Sequence, residues 1–321
     1  MALTTPAIVG PLAAERSVRD QLTRGGTDWA GRVFVLLLLG SLTFSVAVLA
    51  VLIIDVLQLG LPVLLERFTD FMTGTLRTRA DEAGIAQGII GSFWICAFVV
   101  VLSFPLGIGA AIYLEEYAPD TRFSRFVNVN IRNLAGVPSI VYGILGFTIF
   151  TKALRDLTGS GTANGRTVMS AGLTLAILVL PIVIITASEA VRAVPNSLRE
   201  AGYGVGATRW EVIRAHVLPY AAPGIITGLI LSIARALGEA APLILVGATT
   251  GRLASDPSLF DLSQLRERFT ALPIVVTEWT KNPQEGFDEI AAAAIIVMLV
   301  IVIIANTGAI ILRNHYEKKR N

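Results

Sequence analysis

The sequence predicts an all-α, polytopic membrane protein with about six transmembrane helices. Of its 321 residues, 54% are apolar and only 16% are charged, which is too apolar a composition for a soluble globular protein of this length. The apolar residues are concentrated in runs long enough to cross about 30 Å of hydrocarbon as helices. The single cysteine, Cys96, lies inside one of these runs. We therefore expect no disulfide framework, no metal site and no cofactor.

The N-terminal part contains the first predicted span. Residues 1–32 form a polar tail with four arginines, which is too long and too charged for the start of a signal peptide, so we expect a cytoplasmic tail. Residues 33–84 contain an apolar run, 33–57, and an external loop. No small-residue cleavage site follows the run, which is therefore interpreted as a retained membrane anchor.

Three further spans are predicted before the middle of the chain. The second covers 88–113 and contains Pro105, which a span tolerates where neighbouring helices satisfy the freed backbone groups. The third covers 129–150 and the fourth 168–191. The third contains Pro138 and three glycines that would let helices approach closely: Gly136, Gly143 and Gly146.

The loop between the third and fourth spans partly resembles a phosphate-binding P-loop. In residues 160–167 a serine replaces the first glycine of that motif and Arg166 replaces its lysine. No strand precedes the loop, so we expect no nucleotide site there.

The last two spans complete the predicted topology. The fifth, 221–248, carries small residues at every fourth position, which is typical of a close-packed helix face: Gly224, Gly228, Ser232, Ala236 and Ala240. A polar loop, 249–288, precedes the sixth span, 290–312, and residues 314–321 form a basic tail that we expect to contact lipid headgroups. Six spans place both termini on one side, and the excess of Lys and Arg there predicts that this side is cytoplasmic.

The polar segment 196–219 between the fourth and fifth spans predicts two short helices joined by a turn. Capping-box spacing occurs twice, with Ser197 and Glu200 at the first helix and Thr208 and Glu211 at the second. Three glycines between them suit a tight reversal, Gly202, Gly204 and Gly206, and Pro219 is expected to end the second helix.

Each short helix has an apolar side. The residues at helical spacing are Leu198, Ala201 and Val205 in the first, and Trp210, Ile213 and Val217 in the second. Helices this short are not stable alone, so these sides must pack on the membrane domain or on another protein. Residue pattern alone leaves both possibilities open.

Two charged residues lie within the fifth predicted span. Arg235 and Glu239 are spaced i,i+4 and therefore share one helix face. An ionised side chain at mid-bilayer costs on the order of 3 kcal/mol, so such residues normally face a protein or water-filled interior. The pair predicts either a structural ion pair between helices or an anion site on a translocation pathway, because a guanidinium fits two oxygens of a tetrahedral oxyanion.

The central segment resembles the EAA signature of bacterial ABC importer permeases. The matching residues are Glu200, Ala201, Gly202, Gly206, Leu218 and Pro219. Gly202 stands where the second alanine is usual, and His216 stands where isoleucine is usual. The resemblance implies that these residues couple the chain to a separate ATPase.

A narrower resemblance involves two of the spans. Residues 233–243, which include Arg235 and Glu239, look like the fifth-helix motif of PstA-type permeases of phosphate ABC importers, and residues 133–141 are similar to the third helix of that family. The resemblance implies a type-1 importer core at 85–313. It also implies a PstC-like second permease subunit, a PstB-like ATPase dimer, a PstS-like external binding protein and phosphate as cargo, in a bacterial cytoplasmic membrane.

Other functions are less well supported by the sequence. A permease for sulfate, molybdate or an organic solute is the nearest alternative. A secondary transporter could use Arg235 and Glu239 as an ion relay, but it would have no reason to carry an EAA-type segment. An intramembrane enzyme is disfavoured because both histidines, His216 and His315, fall on the predicted cytoplasmic side and no nucleophile lies near a base. No basic nucleic-acid surface is present.

Overall fold

The computed structural model describes residues 29–159, 163–248 and 265–320. Within these ranges the chain is helical and contains no strand. Five helices are long and apolar enough to cross a membrane, or six if one bent pair counts as a span. The predicted all-α, multi-spanning fold is confirmed. Nearly all of the predicted N-terminal tail lies outside the described residues.

The chain divides into two compact units, Met1–Asp55 and Val56–Asn321. In the first unit, residues 29–55 form the apolar beginning of helix α1 (Trp29–Thr73). In the second unit, α1 continues well past the predicted end of the first span at residue 57 and is kinked at Arg67, whose φ of −138° is not helical.

Two helices packed side by side form the centre of the second unit. They are α2 (Ala86–Ile112), extended by a π-helical turn at Tyr113–Tyr117, and α6 (Val168–Arg192), and they match the second and fourth predicted spans. A Cβ added at Gly172 would lie 2.5 Å from the Cβ of Phe98, so only glycine permits this approach.

The third predicted span is wrong as a single helix. The chain instead forms α3 (Arg122–Ala135) and α4 (Ser139–Gly146), with α4 extended by a π-helical turn, Phe147–Ala153, and the two helices meet at an angle of 99°. Pro138 causes the break because it lacks a backbone N–H and disfavours helical geometry at the preceding residue. A short helix, α5 (Arg155–Thr158), follows.

The central segment leads into a long helix. It contains α7 (Asn196–Gly204), α8 (Arg209–Val212) and a π-helical turn, Ile213–Val217, followed by α9 (Leu218–Gly238) and α10 (Ala241–Val246). The small-residue face of the fifth span was predicted to be close-packed, and its Gly224 and Gly228 pack on α6. A Cβ added at Gly224 would lie 2.7 Å from the Cβ of Ala190, and Gly228 faces Thr186 in the same way.

Helix α11 (Leu272–Trp279) lies inside the predicted polar loop 249–288, and this part of the prediction is wrong. Five of its eight residues are buried, and the backbone N–H of Leu272 donates to Ser92 Oγ at 2.9 Å. The apolar run that forms α11 is too short to be recognised from the sequence as a membrane span, because polar residues flank it. The last helix, α12 (Phe287–Arg320), covers the sixth predicted span and most of the basic tail.

Candidate functional site

Arg235 and Glu239 form an ion pair where the fifth span is interrupted. Arg235 lies in the last turn of α9, and its Nε donates to Glu239 Oε1 at 3.1 Å. Glu239 directly follows the helix and has extended backbone geometry, with φ −81° and ψ 114°. The predicted pairing is thus present, but the predicted continuous helix over 221–248 is not.

The interruption has a cause in the sequence. Pro242 lies in the first turn of α10, where a backbone N–H would have no acceptor within the helix. Proline is favourable at such a position and unfavourable inside a helix, so the chain starts a new helix here. Broken helices inside spans are tolerated where they face protein or a water-filled cavity, and such breaks often form ion and substrate sites in transporters.

The Arg235 guanidinium keeps free hydrogen-bonding capacity. Its side chain is 41% exposed, whereas that of Glu239 is 16% exposed. Within the described part of the chain only its Nε donates a hydrogen bond, so both terminal NH₂ groups remain available. The arrangement can bind a further anion without losing the contact to Glu239.

Helix α4 lies against this interruption. Gly143 packs on Pro242, since a Cβ there would be 2.7 Å from the Pro242 Cα. Tyr142 beside it donates its hydroxyl to the Leu134 carbonyl at 2.9 Å and so ties α4 to the end of α3. The two broken spans therefore meet, which neither the spacing nor the composition of the sequence predicted.

The predicted pair of short helices in the central segment is confirmed. Of the two predicted capping boxes, one is present and one is not. Thr208 and Glu211 form the capping box, and hydrogen bonds from the Thr208 backbone and hydroxyl hold the pKa of Glu211 below its usual range. Ser197 forms no cap, because α7 begins at Asn196 with Pro195 in the cap position, and Ser197 is already inside the helix. Glu200 is exposed on α7.

Two glycines shape the turn between these helices. Gly206 has φ +84°, a left-handed geometry that disfavours any residue with a Cβ. Gly202 is buried against α8, and a Cβ there would lie 2.7 Å from Val212 Cγ2. A second alanine at this point of the signature would therefore push the two helices apart.

The apolar residues of the segment divide into two groups. Ile213 and Val217 are fully buried, Val217 in a cluster with α2 and α6, whereas Val205 is 84% and Trp210 is 52% exposed. We call the outward-facing group the coupling surface, and it consists of Ala201, Tyr203, Val205 and Trp210. One group therefore packs on the membrane domain, which was one of the two options left open by the sequence, and the other group is exposed.

Pro219 does not end the second helix, contrary to the prediction. Leu218 and Pro219 lie in the first turn of α9, directly after the π-helical turn. In the π-helical turn before it the Leu218 N–H donates to the Ile213 carbonyl, and this local change of hydrogen bonding accommodates Pro219, so the chain stays helical for 30 residues, Arg209–Gly238. Trp210 of the coupling surface and Arg235 consequently lie on one continuous rod. His216 is an exposed residue of this rod.

Two ion pairs that the sequence did not predict hold the end of α6 and the central segment against the π-helical turn that follows α2. Arg199 Nη2 donates to Glu116 Oε1 at 2.8 Å, with the carboxylate only 4% and the guanidinium 16% exposed. Arg192 pairs with Glu115 at 2.7 Å, and the Arg209 guanidinium lies 4.9 Å from the Tyr117 ring centre. The run of Glu115 and Glu116 after an apolar span marks one side of this brace in the sequence, but it does not identify the arginine partners.

The remaining candidate sites are not supported. Within the described residues no group of three or more His, Cys, Asp or Glu side chains could hold a metal ion. Residues 160–162 of the P-loop-like segment lie outside the described residues, and Ala163, Asn164 and Gly165 form a turn.

Comparison with known proteins gives a consistent result. A family model described as "Binding-protein-dependent transport system inner membrane component" matches residues 103–320. The chain is 31% identical to the probable ABC transporter permease protein YqgI of Bacillus subtilis, over 74% of each chain. It is 31% identical to the phosphate transport system permease protein PstC 2 of Mycobacterium tuberculosis, over 68% of this chain and 73% of the relative. For the phosphate transport system permease protein PstA of Mycobacterium leprae, identity is 33% over 68% of each chain.

A solved structure shares the fold. A chain from the crystal structure of a bacterial alginate ABC transporter, in complex with a pentasaccharide-bound periplasmic protein, matches with a TM-score of 0.58 at 15% identity. The match covers 87% of this chain and 93% of that chain.

Proposed function

The chain belongs to the family of inner membrane components of binding-protein-dependent transport systems, and from this premise we propose that it imports inorganic phosphate. It is a multi-pass permease subunit of an ABC importer, and its resemblance to PstA-type permeases is confirmed. In the proposed function it forms half of the translocation pore, with Arg235 and Glu239 on the path of the cargo.

The Arg235 guanidinium is the observation that carries this proposal. It lies at a helix break within a span, held by one carboxylate contact and with both NH₂ groups unused in the described structure. A planar guanidinium can donate to two oxygens of a tetrahedral oxyanion at once, and the contact is stronger where bulk water is excluded. Because Glu239 offsets part of the charge, the anion is held weakly enough to be released.

Glu239 gives the site a basis for selectivity. In the empty state it holds Arg235 through the 3.1 Å contact. When phosphate arrives, a protonated phosphate oxygen can donate to the Glu239 carboxylate. Sulfate at neutral pH carries no such proton and would meet an unpaired negative charge there, which is unfavourable.

In the proposed function, a partner ATPase supplies the energy for transport. We propose that the coupling surface and the EAA-type residues Glu200, Ala201, Gly202, Gly206, Leu218 and Pro219 engage a PstB-like ATPase dimer on the cytoplasmic side. A PstC-like chain would complete the pore, and a PstS-like protein would deliver phosphate from outside. Closure of the ATPase dimer on ATP would displace the rod Arg209–Gly238 and with it Arg235.

Uptake of labelled phosphate into proteoliposomes that contain the assembled importer tests the proposal. Arg235→Ala is expected to abolish uptake and to leave assembly and basal ATP hydrolysis in place. Arg125→Ala removes an exposed arginine of α3 and serves as the matched control. Normal uptake by the Arg235→Ala variant would refute the role of this residue, and competition by excess sulfate or molybdate would identify a different cargo.

A further inference from the structure

A separate cavity lies beside the turn that precedes α6. It has a volume of about 240 Å³ and is lined by Phe147, Thr151, Lys152, Arg155, Asn164 and Arg166. Since a water molecule occupies about 30 Å³, the cavity is large enough for a hydrated small ion. None of these residues belongs to the Arg235 site or to the coupling surface.

Three cationic side chains line this cavity. In the described ranges of the chain, no carboxylate lies within 4 Å of the charged groups of Lys152, Arg155 or Arg166. Two of them are held in place by neutral groups. The Arg155 Nη1 donates to Asn164 Oδ1 at 2.8 Å, and Lys152 Nζ lies 4.8 Å from the ring centre of Phe147. All three cationic residues are exposed, so solvent screens part of their mutual repulsion, and an anion bound between them would offset the rest.

A buried hydroxyl provides an independent indication of a ligand. Thr151 is only 3% exposed, and its Oγ1 has no hydrogen-bond partner among the described residues. Buried hydroxyl groups are nearly always paired, so an unpaired one at the wall of a cavity indicates a missing acceptor. Because this oxygen has almost no accessible surface, an anion in the cavity would accept its hydrogen bond after the Thr151 side chain rotates toward the cavity.

We propose that this cavity is a second oxyanion site, which binds one tetrahedral oxyanion through Thr151, Lys152 and Arg166. Its position relates it to the first site. Gly247, which follows α10, packs against the Arg166 side chain, with a Cβ there 2.5 Å from Arg166 Cδ. Since α10 begins two residues after Glu239 and its six residues rise about 9 Å, the cavity is one short helix away from the Arg235 site.

The role of the site in transport is a separate step that rests on the proposed function. If the chain imports phosphate, the cavity would hold the anion before it reaches Arg235. Oxyanion binding in the cavity does not depend on that role. Free phosphate and the phosphate of an anionic lipid headgroup present the same chemistry, and the experiment must distinguish them.

Lysine acylation measures occupancy directly, because the chain has only four lysines, Lys152, Lys281, Lys318 and Lys319. The purified permease–ATPase complex, without the external binding protein, is treated with an amine-reactive ester at constant ionic strength. The acylation rate of each lysine is followed by mass spectrometry as inorganic phosphate or sulfate replaces chloride. Lys281 is exposed and lies outside the cavity, so it serves as the internal control.

A bound oxyanion is expected to slow acylation of Lys152 at least threefold and to leave Lys281 unchanged. Thr151→Val keeps the side-chain shape and removes the unpaired hydroxyl, so its melting temperature should equal or exceed that of the wild type. In this variant and in Arg166→Ala, half-maximal protection should require at least fivefold more anion. Equal slowing of both lysines, no slowing of either, or full protection in Thr151→Val would overturn the proposal.

Two further measurements separate the possible sources and the two proposals. Nanodiscs with phosphatidylglycerol are compared with lipid-free detergent micelles, both without added anion. Protection of Lys152 in the nanodiscs alone identifies the headgroup as the oxyanion, whereas protection by added phosphate in micelles identifies the free ion. Arg235→Ala should keep the protection of Lys152. Retained protection with normal uptake would refute the proposed function while supporting this site.

Discussion

At the residue scale, the proposed role of each charged side chain depends on the residue with which it pairs. Arg235 and Glu239 could be identified from the sequence, because two charges in an apolar run are costly and their spacing brings them together. The pair of Glu116 and Arg199 could not be identified, since 83 positions separate the two residues and each lies in a polar stretch that would ordinarily be solvated. Spacing reveals local partners only.

Replacing Glu239 by glutamine tests its proposed role in selectivity. The amide keeps the size of the side chain, removes the negative charge and adds a donor. Sulfate should therefore inhibit phosphate uptake roughly tenfold more strongly than in the wild type, equivalent to about 1.4 kcal/mol. The inhibition constant of sulfate for uptake of labelled phosphate is the quantity to measure.

Glu278→Gln is the control for this change, because Glu278 is an exposed carboxylate at the end of α11. It should leave sulfate inhibition at the wild-type value. An unchanged inhibition constant in Glu239→Gln would contradict the selectivity argument, whatever its effect on the uptake rate.

The brace between α2 and the central segment makes a prediction about stability. Glu116→Gln removes the carboxylate of a pair in which the partners are 4% and 16% exposed. Arg199 keeps hydrogen bonds to the carbonyls of Val191 and Val194, so the loss should be about 1–3 kcal/mol and not the 3–5 kcal/mol of an abandoned buried charge. Thermal unfolding of the purified complex measures it.

Glu115→Gln is the matched comparison at the neighbouring position. Its partner Arg192 is 59% exposed, so solvent screens the pair and the loss should be at most about 1 kcal/mol. If both variants lowered the melting temperature equally, the buried pair would have no special structural role.

At the element scale, the regular helices could be predicted and the interruptions could not. The second and fourth spans, α2 and α6, agree with prediction within a few residues because long apolar runs have few alternatives in a membrane. Pro138 produces a 99° break, whereas Pro105 stays inside a helix. A proline alone does not distinguish these outcomes, since neighbouring packing decides whether the freed backbone groups are satisfied.

The short helices of the central segment show the same limit. Their number and the second capping box were predicted correctly, but the direction of each apolar residue was not. Gly202 and Val212 bring α7 and α8 together, and this contact turns Trp210 outward while Ile213 is buried. The spacing of apolar residues identifies the apolar face of a helix. Only the tertiary structure shows what that face packs against.

Trp210→Ser and Ile213→Ala separate the two directions experimentally. Trp210 is half-exposed, so its replacement should leave the free energy of unfolding of the isolated permease within about 0.5 kcal/mol of wild type but reduce copurification of the ATPase several-fold. Ile213 is fully buried, so its truncation should destabilise the permease itself by about 2–5 kcal/mol. The opposite pattern would mean that the coupling surface faces no partner.

At the scale of the whole molecule, one rod joins the two proposed functional regions. From Arg209 to Arg235 the chain is helical without interruption, a length of about 40 Å, and the rod carries Trp210 at one end and Arg235 at the other. A helix transmits displacement along its axis, so movement imposed on the coupling surface must also move Arg235. The sequence predicted a stop at Pro219 that would have separated these regions, and the observed continuity strengthens the coupling hypothesis.

Thiol labelling at Gly238 tests this transmission most directly. Gly238 ends the rod beside Glu239, and no atom lies within 4 Å of a Cβ placed there, so Gly238→Cys fits without strain. The native Cys96 is replaced by serine, the partner subunits carry no cysteine, and a membrane-impermeant thiol reagent is added from the outside. Trapping the ATPase with ATP and vanadate should increase the labelling rate at least tenfold over the nucleotide-free complex. The same rate in both states would contradict the claim that the partner ATPase moves the Arg235 site through this rod.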